Sequence, residues 1–162
     1  IQYSQFGGEQ ETKRRAGTEN LPQIVGLAEA MNLAVTNMDD NNVHLMNLKN
    51  QFLVTLQERA IPFELNGSMT NATGHVVNLY FPFIDVETLL TLLDLAQVYV
   101  SAGSACTAGS MTPSHVLTAM YNDEDRANHS VRFSFNELTT EKEIKTVAAE
   151  IHKIYHRFRE VN

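Results

Sequence analysis

The spacing of the apolar residues changes at Pro62, and this change divides the sequence into a helical part and a part rich in short strands. Upstream of Pro62, apolar residues recur every three or four positions, as the buried stripe of an amphipathic helix requires. They are Ile24, Ala28, Met31, Val35 and Met38, followed by Leu45, Leu48, Phe52, Leu53 and Leu56. The pattern predicts one long helix, or two helices if the polar residues 39–42 interrupt it.

Downstream of Pro62 the apolar runs are short and are separated by turn residues, as is typical of β-strands. The predicted strands cover residues 61–65, 76–81, 98–100 and 131–135. Helical spacing returns at residues 86–95 and 114–120, and a last helix begins with the capping-box sequence Thr140-Glu-Lys-Glu143. We therefore expect an α/β fold in which a short mixed sheet is flanked by helices and preceded by a long helical region.

Composition disfavours several classes of partner and site. The net charge of -7, from 19 acidic and 12 basic residues, opposes binding to nucleic-acid phosphates or anionic membranes. No apolar run approaches the roughly 18 residues of a membrane span, and no signal peptide opens the chain. A single cysteine cannot form an internal disulfide, which favours the cytoplasm. Because residue 1 is Ile rather than Met, we expect the chain to be a piece of a longer protein.

The only cysteine lies in the segment Ser101-Ala-Gly-Ser-Ala-Cys106-Thr-Ala-Gly-Ser110, whose other residues are all Ser, Ala, Gly or Thr. Such small side chains offer little packing, so we expect an exposed and movable loop. A structural cysteine is normally buried as a small hydrophobic residue. The sequence leaves two interpretations of Cys106 open: a nucleophilic thiolate on a movable arm, or an ordinary loop cysteine.

A Cys-His peptidase is the alternative enzyme class, because a histidine could supply a base to the thiol. The candidates are His75, His115 and His129. No local peptidase signature surrounds Cys106, and the sequence cannot place a histidine beside it. A zinc site is disfavoured because one cysteine with scattered histidines lacks paired ligand spacing, so no resident metal is expected.

Two further features are weaker signals of a ligand site. Arg132 lies in the alternating run 130–135, where its two neighbours point to one face and Arg132 to the other. It could clamp a carboxylate with two hydrogen bonds, or it could be an exposed strand arginine. The pairs Gly7-Gly8 and Gly17-Thr18 could let the backbone approach a phosphate, with the Thr18 hydroxyl donating a hydrogen bond.

Seven short blocks along the chain match one pattern in their order and separation. They read Gly7-Gly-Glu-Gln-Glu11, Arg14-Arg-Ala-Gly-Thr-Glu-Asn20, Ile24-Val-Gly-Leu-Ala28, Ser101 to Ser110, Pro113-Ser-His-Val-Leu117, Val131-Arg-Phe-Ser134 and Thr139-Thr-Glu-Lys-Glu143. Together they resemble the pyridoxal-phosphate-dependent cysteine desulfurases of the class V aminotransferase family. The long form of the cysteine loop is similar to that of the group that serves iron–sulfur cluster assembly and tRNA thiolation.

The resemblance implies a role for three residues and a set of partners. Cys106 would attack the sulfur of the substrate–cofactor adduct, which yields a cysteine persulfide and alanine, and in some relatives this cysteine is thought to ligate an iron–sulfur cluster transiently. Arg132 would hold the carboxylate of the L-cysteine substrate. Thr18 would reach the phosphate of pyridoxal phosphate in the opposite subunit, which implies a homodimer. The sulfur would pass to an acceptor protein, either an iron–sulfur scaffold or a tRNA-thiolation enzyme.

The chain also departs from the family pattern. Its only His-Lys pair, His152-Lys153, is not followed by the Gly-Pro-Lys-Gly run that accompanies the cofactor lysine in the family. The group that stacks on the cofactor ring and the aspartate that pairs with the pyridinium nitrogen also have no counterpart here. Glu9 replaces a usual glycine, and His75 stands where asparagine is common. We therefore expect a C-terminal fragment that cannot turn over cysteine by itself.

The expected organisation has three parts. Residues 1–20 would be an extended strip from the edge of the missing large domain, residues 21–60 a connecting helical region, and residues 61–162 the C-terminal small domain of a fold-type I enzyme. The helical region would expose apolar surface that packs on the missing domain in the whole protein. Two alternatives remain: a related lyase or aminotransferase, such as a selenocysteine lyase, and a non-catalytic sulfur-carrying module.

Overall fold

A computed structural model of the chain describes residues 4–103 and 113–159. Residues 1–39 and 40–162 form two compact units. Among the described residues, no helix is both long enough and apolar enough to cross a membrane.

The first unit begins with a short hairpin, where an extended segment was expected. Strand β1 (Glu9–Gln10) pairs antiparallel with β2 (Arg15–Ala16), and Glu11, Thr12 and Lys13 of the connecting turn have positive φ. Helix α1 (Leu21–Thr36) follows, and the side chain of Asn20 caps its first turn by accepting a hydrogen bond from the Gln23 N–H. The two-residue strands carry no periodicity, which is why the sequence pattern missed them.

Helix α1 forms as predicted, but it contains no buried residue, so the expectation of a buried apolar stripe is wrong for this helix. Its large apolar side chains are between 51% and 70% exposed; they are Leu21, Ile24, Val25, Leu27, Met31, Leu33 and Val35. The expectation that this region exposes apolar surface is therefore confirmed for this chain.

Two helices form upstream of Pro62, because α1 ends at Thr36 and α2 (Met38–Glu58) begins after Asn37. The polar residues 39–42 lie inside α2 and do not interrupt it. Helix α2 ends in a Schellman motif, in which the Ile61 N–H donates to the Leu56 carbonyl and Ala60 takes a φ of 52°.

The main sheet has four strands in the spatial order β3-β4-β6-β5. Their bounds are β3 Glu64–Leu65, β4 Val76–Tyr80, β5 Ser101–Ala102 and β6 Ser130–Ser134. Every pair is antiparallel, so the fold class is as expected but the sheet is not mixed. Strand direction depends on the path of the connections, which strand composition does not reveal. The strand predicted at residues 98–100 is wrong, since the pairing begins at Ser101.

The remaining helices are α3 (Val86–Leu95), α4 (His115–Tyr121), α5 (Glu124–Asn128) and α6 (Glu141–Arg159). The capping box that begins α6 is confirmed: the Glu143 carboxylate accepts from the Thr140 N–H at 2.7 Å, and the Thr140 hydroxyl accepts from the Glu143 N–H at 3.3 Å. Helix α5 was not predicted, because five residues carry too little periodicity.

One face of the sheet and the helices α2, α3 and α6 form a single core. The buried residues of this core include Val77, Leu79, Val131, Phe133, Phe52, Leu56, Leu89, Leu93, Ile144, Ala148 and Ile151. The rings of Phe52 and Phe133 are 4.9 Å apart, which joins α2 to β6. Because alternate strand residues point to opposite faces, this apolar face leaves a second, polar face that carries the candidate site.

Candidate functional site

Arg132 lies at the centre of the polar face of the sheet. Its neighbours Val131 and Phe133 are buried in the core, whereas Arg132 is half-buried, which confirms the alternation read from the sequence. The register places Asn78 of β4 opposite Arg132 on one side and Ser101 of β5 opposite it on the other. Arg132 is thus flanked by polar side chains on both neighbouring strands.

The Arg132 Nε donates a hydrogen bond to the Ser101 hydroxyl oxygen at 3.0 Å. Within residues 4–103 and 113–159, the guanidinium has no carboxylate partner. Its terminal nitrogens are therefore left for a ligand. A half-buried guanidinium with two such nitrogens suits an anionic group such as a carboxylate.

The polar side chains beside Arg132 are connected to the β3 edge of the sheet by hydrogen bonds of the Asn66 amide. The Asn66 side chain donates to the Asn78 amide oxygen at 2.7 Å and to the Ser130 hydroxyl at 2.8 Å. The oxygen of the Asn66 amide accepts from the Arg126 Nε at 2.6 Å. These bonds fix Asn78, the direct neighbour of Arg132, in one orientation.

Arg126 anchors the α4–α5 region to the hairpin of β3 and β4. Its guanidinium pairs with Glu64 at 2.6 Å and lies 4.1 Å from the ring centre of Tyr121 and 5.2 Å from that of Tyr80. The Tyr121 hydroxyl accepts from the Gly67 N–H at 2.8 Å. Burial raises the pKa of Tyr80, with a further contribution from nearby carboxylates. The arrangement holds the helix that follows the cysteine segment against the sheet.

Gly103 and Ser114, which lie on either side of Cys106 in the sequence, are in close contact. A Cβ placed on Gly103 would lie 3.1 Å from the Cβ of Ser114, so the chain leaves β5 and returns to α4 at almost the same point. Ser114 is buried and caps α4 by accepting from the Leu117 N–H. Cys106, expected on a movable loop, lies outside the described residues.

Thr18 lies between β2 and α1 and is exposed. Arg15 closes the turn beside it by donating to the Gly17 carbonyl oxygen at 2.9 Å and by pairing with the Glu19 carboxylate. Gly17 has a φ of +96°, a conformation that favours glycine. The backbone around Thr18 is thus fixed, while its side chain reaches solvent. A hydroxyl that donates a hydrogen bond to a bound phosphate requires this arrangement.

Four of the lysines contact other protein groups among the described residues. Lys153 is 70% exposed and pairs with Glu150 on α6, and Lys13 and Lys145 pair with carboxylates on their own segments. Lys49 is buried and donates to the Thr73 carbonyl oxygen at 3.2 Å.

Lys49 is a buried cation that the sequence pattern missed. A signal was present, because the residues three and four positions away on the helix are apolar and place Lys49 on the buried side of α2; they are Leu45, Met46, Phe52 and Leu53. Burial lowers the pKa of Lys49, since removal from water disfavours the charged form. Among the residues that the structure describes, no carboxylate pairs with it, so its role is one of packing rather than of an ion pair.

The three histidines of the peptidase alternative lie in different places. His75 is exposed at the start of β4, and His115 is exposed in the first turn of α4. His129 ends α5, and its Nδ1 lies 2.9 Å from the Asp125 carbonyl oxygen. The structure relates none of them to Cys106, and none contacts the Arg132 site among the described contacts.

Comparison with known proteins gives consistent matches over nearly the whole chain. A family model described as Aminotransferase class-V matches residues 1–147. The chain is 50% identical over 153 residues to the putative cysteine desulfurase IscS 1 of Bacillus subtilis, a match that covers 94% of this chain and 40% of the relative. It is 35% identical over 156 residues to the cysteine desulfurase IscS of Dictyoglomus turgidum, which covers 96% of this chain and 40% of the relative.

Solved structures agree with the fold. The chain is similar to a NifS-like protein, with a TM-score of 0.79 and 29% identity over 97% of this chain and 40% of the other. It is also similar to a NifS-like protein from Rickettsia africae, with a TM-score of 0.74 and 26% identity over 96% and 40% of the two chains. The chain thus spans about 40% of the length of these relatives.

Proposed function

Since the chain belongs to the class-V aminotransferase family, we propose that it is the C-terminal part of a cysteine desulfurase. The whole enzyme converts L-cysteine to L-alanine and keeps the sulfur as a persulfide on Cys106. The observation that carries this proposal is the 50% identity to a putative cysteine desulfurase over 94% of the chain. The resemblance of the Cys106 segment supports it, because a plain aminotransferase needs no thiol.

The geometry around Arg132 supports its role as the carboxylate clamp. Its guanidinium is half-buried, and its terminal nitrogens have no protein carboxylate among the described residues. Arg132 also lies beside Ser101, the strand residue from which the chain enters the cysteine segment. Cys106 follows Gly103 by three residues, a stretch that spans at most about 11 Å. A substrate held by Arg132 would thus be within range of the thiol.

The proposed sulfur transfer involves one bond formed and one bond broken. The Cys106 thiolate attacks the sulfur of the bound L-cysteine, and a sulfur–sulfur bond forms. The carbon–sulfur bond breaks, its electron pair stays with the substrate, and the carbon takes up a proton to give L-alanine. Pyridoxal phosphate, when bound, supplies the electron sink for this cleavage. Arg132 holds the carboxylate, so that the substrate sulfur faces the thiol.

The cofactor and the dimer belong to the proposed whole protein. Thr18 would donate a hydrogen bond to the cofactor phosphate of the opposite subunit, which makes the active form a homodimer. Residues 1–20 would then lie at the edge of the large domain, residues 21–60 would connect it, and residues 61–162 would form the small domain. Because the sequence has no counterpart of the family's cofactor-lysine motif, we expect no sulfide release by the 162-residue chain alone, even with added cofactor.

The persulfide sulfur would pass to an acceptor protein in the cytoplasm. The resemblance of the cysteine loop to the long-loop group supports an iron–sulfur scaffold or a tRNA-thiolation enzyme as the acceptor class. The acidic chain favours a protein acceptor over direct contact with nucleic acid. Cys106 would act as the sulfur carrier, and as a transient iron–sulfur ligand if the acceptor is a scaffold.

The test is a mass measurement on Cys106. The protein extended to the length of its relatives is incubated with pyridoxal phosphate and L-cysteine, and the peptide that contains Cys106 is analysed without reduction. We expect one added sulfur on this peptide in the native protein and none in Cys106→Ala, which should also release no alanine. An unmodified Cys106 in a protein that binds the cofactor would favour a related lyase or aminotransferase. A protein that does not bind the cofactor would favour a non-catalytic sulfur carrier.

A further inference from the structure

We propose that Ser101 is a positioning residue, which orients the Arg132 guanidinium so that its two terminal nitrogens bind the substrate carboxylate end-on. The inference rests on the proposed function of Arg132. Its evidence is the hydrogen bond from the Arg132 Nε to the Ser101 hydroxyl oxygen at 3.0 Å, which joins two strands at the polar face of the sheet.

A guanidinium can bind a carboxylate with two parallel hydrogen bonds along either of two edges. One edge includes Nε, and the other consists of the two terminal nitrogens. The Ser101 hydroxyl accepts the hydrogen bond of the Nε–H, so the edge that includes Nε is not open to a carboxylate. In the part of the chain that the structure describes, no other side chain is hydrogen-bonded to this guanidinium, so the terminal edge remains for the substrate.

The backbone fixes Ser101 at this place. Ser101 and Arg132 are directly opposite in the antiparallel pairing of β5 and β6, so their side chains leave the sheet side by side. On the other flank, Asn78 is opposite Arg132 and is held by the Asn66 amide at 2.7 Å. Serine has one side-chain torsion to fix, so holding its hydroxyl against Nε costs little conformational entropy. The arginine is thereby confined between two fixed neighbours.

The test separates carboxylate recognition from the other contacts of the substrate. Dissociation constants of L-alanine, the reaction product, and of ethylamine, which is alanine without its carboxylate, are measured by titration calorimetry on the full-length holoenzyme. In Ser101→Ala we expect an affinity for L-alanine that is about tenfold weaker and an unchanged affinity for ethylamine. The tenfold loss corresponds to roughly one hydrogen bond that positions Arg132. Ser101→Thr keeps a hydroxyl and should restore the native affinity for L-alanine.

Two further variants make the outcome decisive. Ser134→Ala removes a hydroxyl two residues after Arg132 on the same strand, and it should leave both affinities unchanged. Arg132→Ala should weaken L-alanine binding and spare ethylamine. If it does not, or if the native enzyme binds L-alanine no better than ethylamine, the carboxylate role of Arg132 is wrong and this inference falls with it. If Arg132→Ala behaves as expected but Ser101→Ala leaves L-alanine binding intact, or weakens both ligands equally, the inference alone is overturned.

Discussion

Gly103 packs against Ser114 so closely that a Cβ on residue 103 would lie 3.1 Å from the serine Cβ and 3.4 Å from its Cα and N. This contact joins the end of β5 to the start of α4. Gly103 precedes the segment that contains Cys106, and Ser114 follows it. Gly103 also has a φ of +23°, a region that side chains disfavour. The contact therefore depends on glycine for two reasons.

We expect Gly103→Ala to lower the free energy of unfolding by about 1–2 kcal/mol, because the new methyl group crowds Ser114 and the backbone is strained. Urea unfolding of the two proteins measures the difference. The control is Gly8→Ala, where a Cβ would meet no atom within 4 Å and φ is not positive, so stability should not change appreciably. Equal stability of Gly103→Ala and the native chain would show that the contact is not tight.

Gln97 is expected to be a position where glycine stabilises the fold. It lies at the end of α3 in a Schellman motif, where the Val98 N–H donates to the Leu93 carbonyl oxygen at 2.8 Å, and its φ is +60°. Gln97→Gly should raise the free energy of unfolding by about 0.5–1 kcal/mol, because the relief of strain exceeds the added entropy of the unfolded chain. Ala96→Gly, at a neighbouring residue with a φ of -87°, should be destabilising instead. A stabilised Ala96→Gly or a destabilised Gln97→Gly would contradict the argument.

Lys49 is expected to be replaceable by an apolar residue of similar length. Lys49→Met removes a buried cation, and the Thr73 carbonyl oxygen that it leaves behind belongs to an exposed residue that water can reach. We expect a gain on the order of 1 kcal/mol in the free energy of unfolding at pH 7. Lys145→Met, at a 60% exposed side chain, is the matched control and should change little.

The same buried lysine gives a pH dependence of known sign. Because the folded-state pKa of Lys49 is lowered below its ordinary value of 10.5, the unfolded chain binds more protons in the interval between the two values. Stability of the native chain should therefore gain a contribution as pH rises through the folded pKa toward 10.5, and Lys49→Met should lack it. Urea unfolding at pH 7 and pH 10 checks this; an identical change in both proteins would refute the assignment.

Asp85 should give a pH dependence of the same sign, but at low pH, because its pKa is also lowered on folding. Its carboxylate caps α3 by accepting from the Thr88 N–H at 2.9 Å, and this hydrogen bond is the main cause of the lowered pKa of Asp85. The stabilisation is present above the ordinary pKa of 3.8 and is lost as pH falls through the lower folded value. Asp85→Asn keeps the cap and should match the native stability at pH 7 but lose less of it on acidification. Asp85→Ala should cost about 1 kcal/mol at pH 7.

The exposed apolar side chains of α1 should cause the isolated chain to self-associate. Sedimentation velocity of the 162-residue chain is expected to show dimers or larger species. The triple variant Ile24→Gln, Met31→Gln and Val35→Gln should shift the chain toward monomer without loss of helix content, because none of these side chains is buried. Leu138→Gln changes a 78% exposed leucine elsewhere and should not have this effect. A strictly monomeric native chain would count against this prediction.

Most of the fold could be predicted where local patterns are long enough. The bounds of α3, residues 86–95, were predicted to the residue, and the capping box at Thr140 formed as expected. The hairpin of β1 and β2 and helix α5 were missed, because two to five residues cannot show a period. The start of β5 at Ser101, rather than within residues 98–100, could not be predicted either, since all of these positions suit an extended strand.

The sequence by itself determined which residues are proposed to do chemistry: a lone cysteine among small residues, an arginine on the polar side of an alternating strand, and a threonine after a glycine. These features follow from the local composition and from the alternation of apolar and polar residues along a strand, and a short stretch of sequence contains both. Only the tertiary structure decided that Ser101 stands beside Arg132 and that Gly103 meets Ser114. The reason is that both contacts join residues 11 to 31 positions apart. Their geometry is set by the antiparallel pairing of β5 and β6 and by the packing of α4, which no short stretch of sequence encodes.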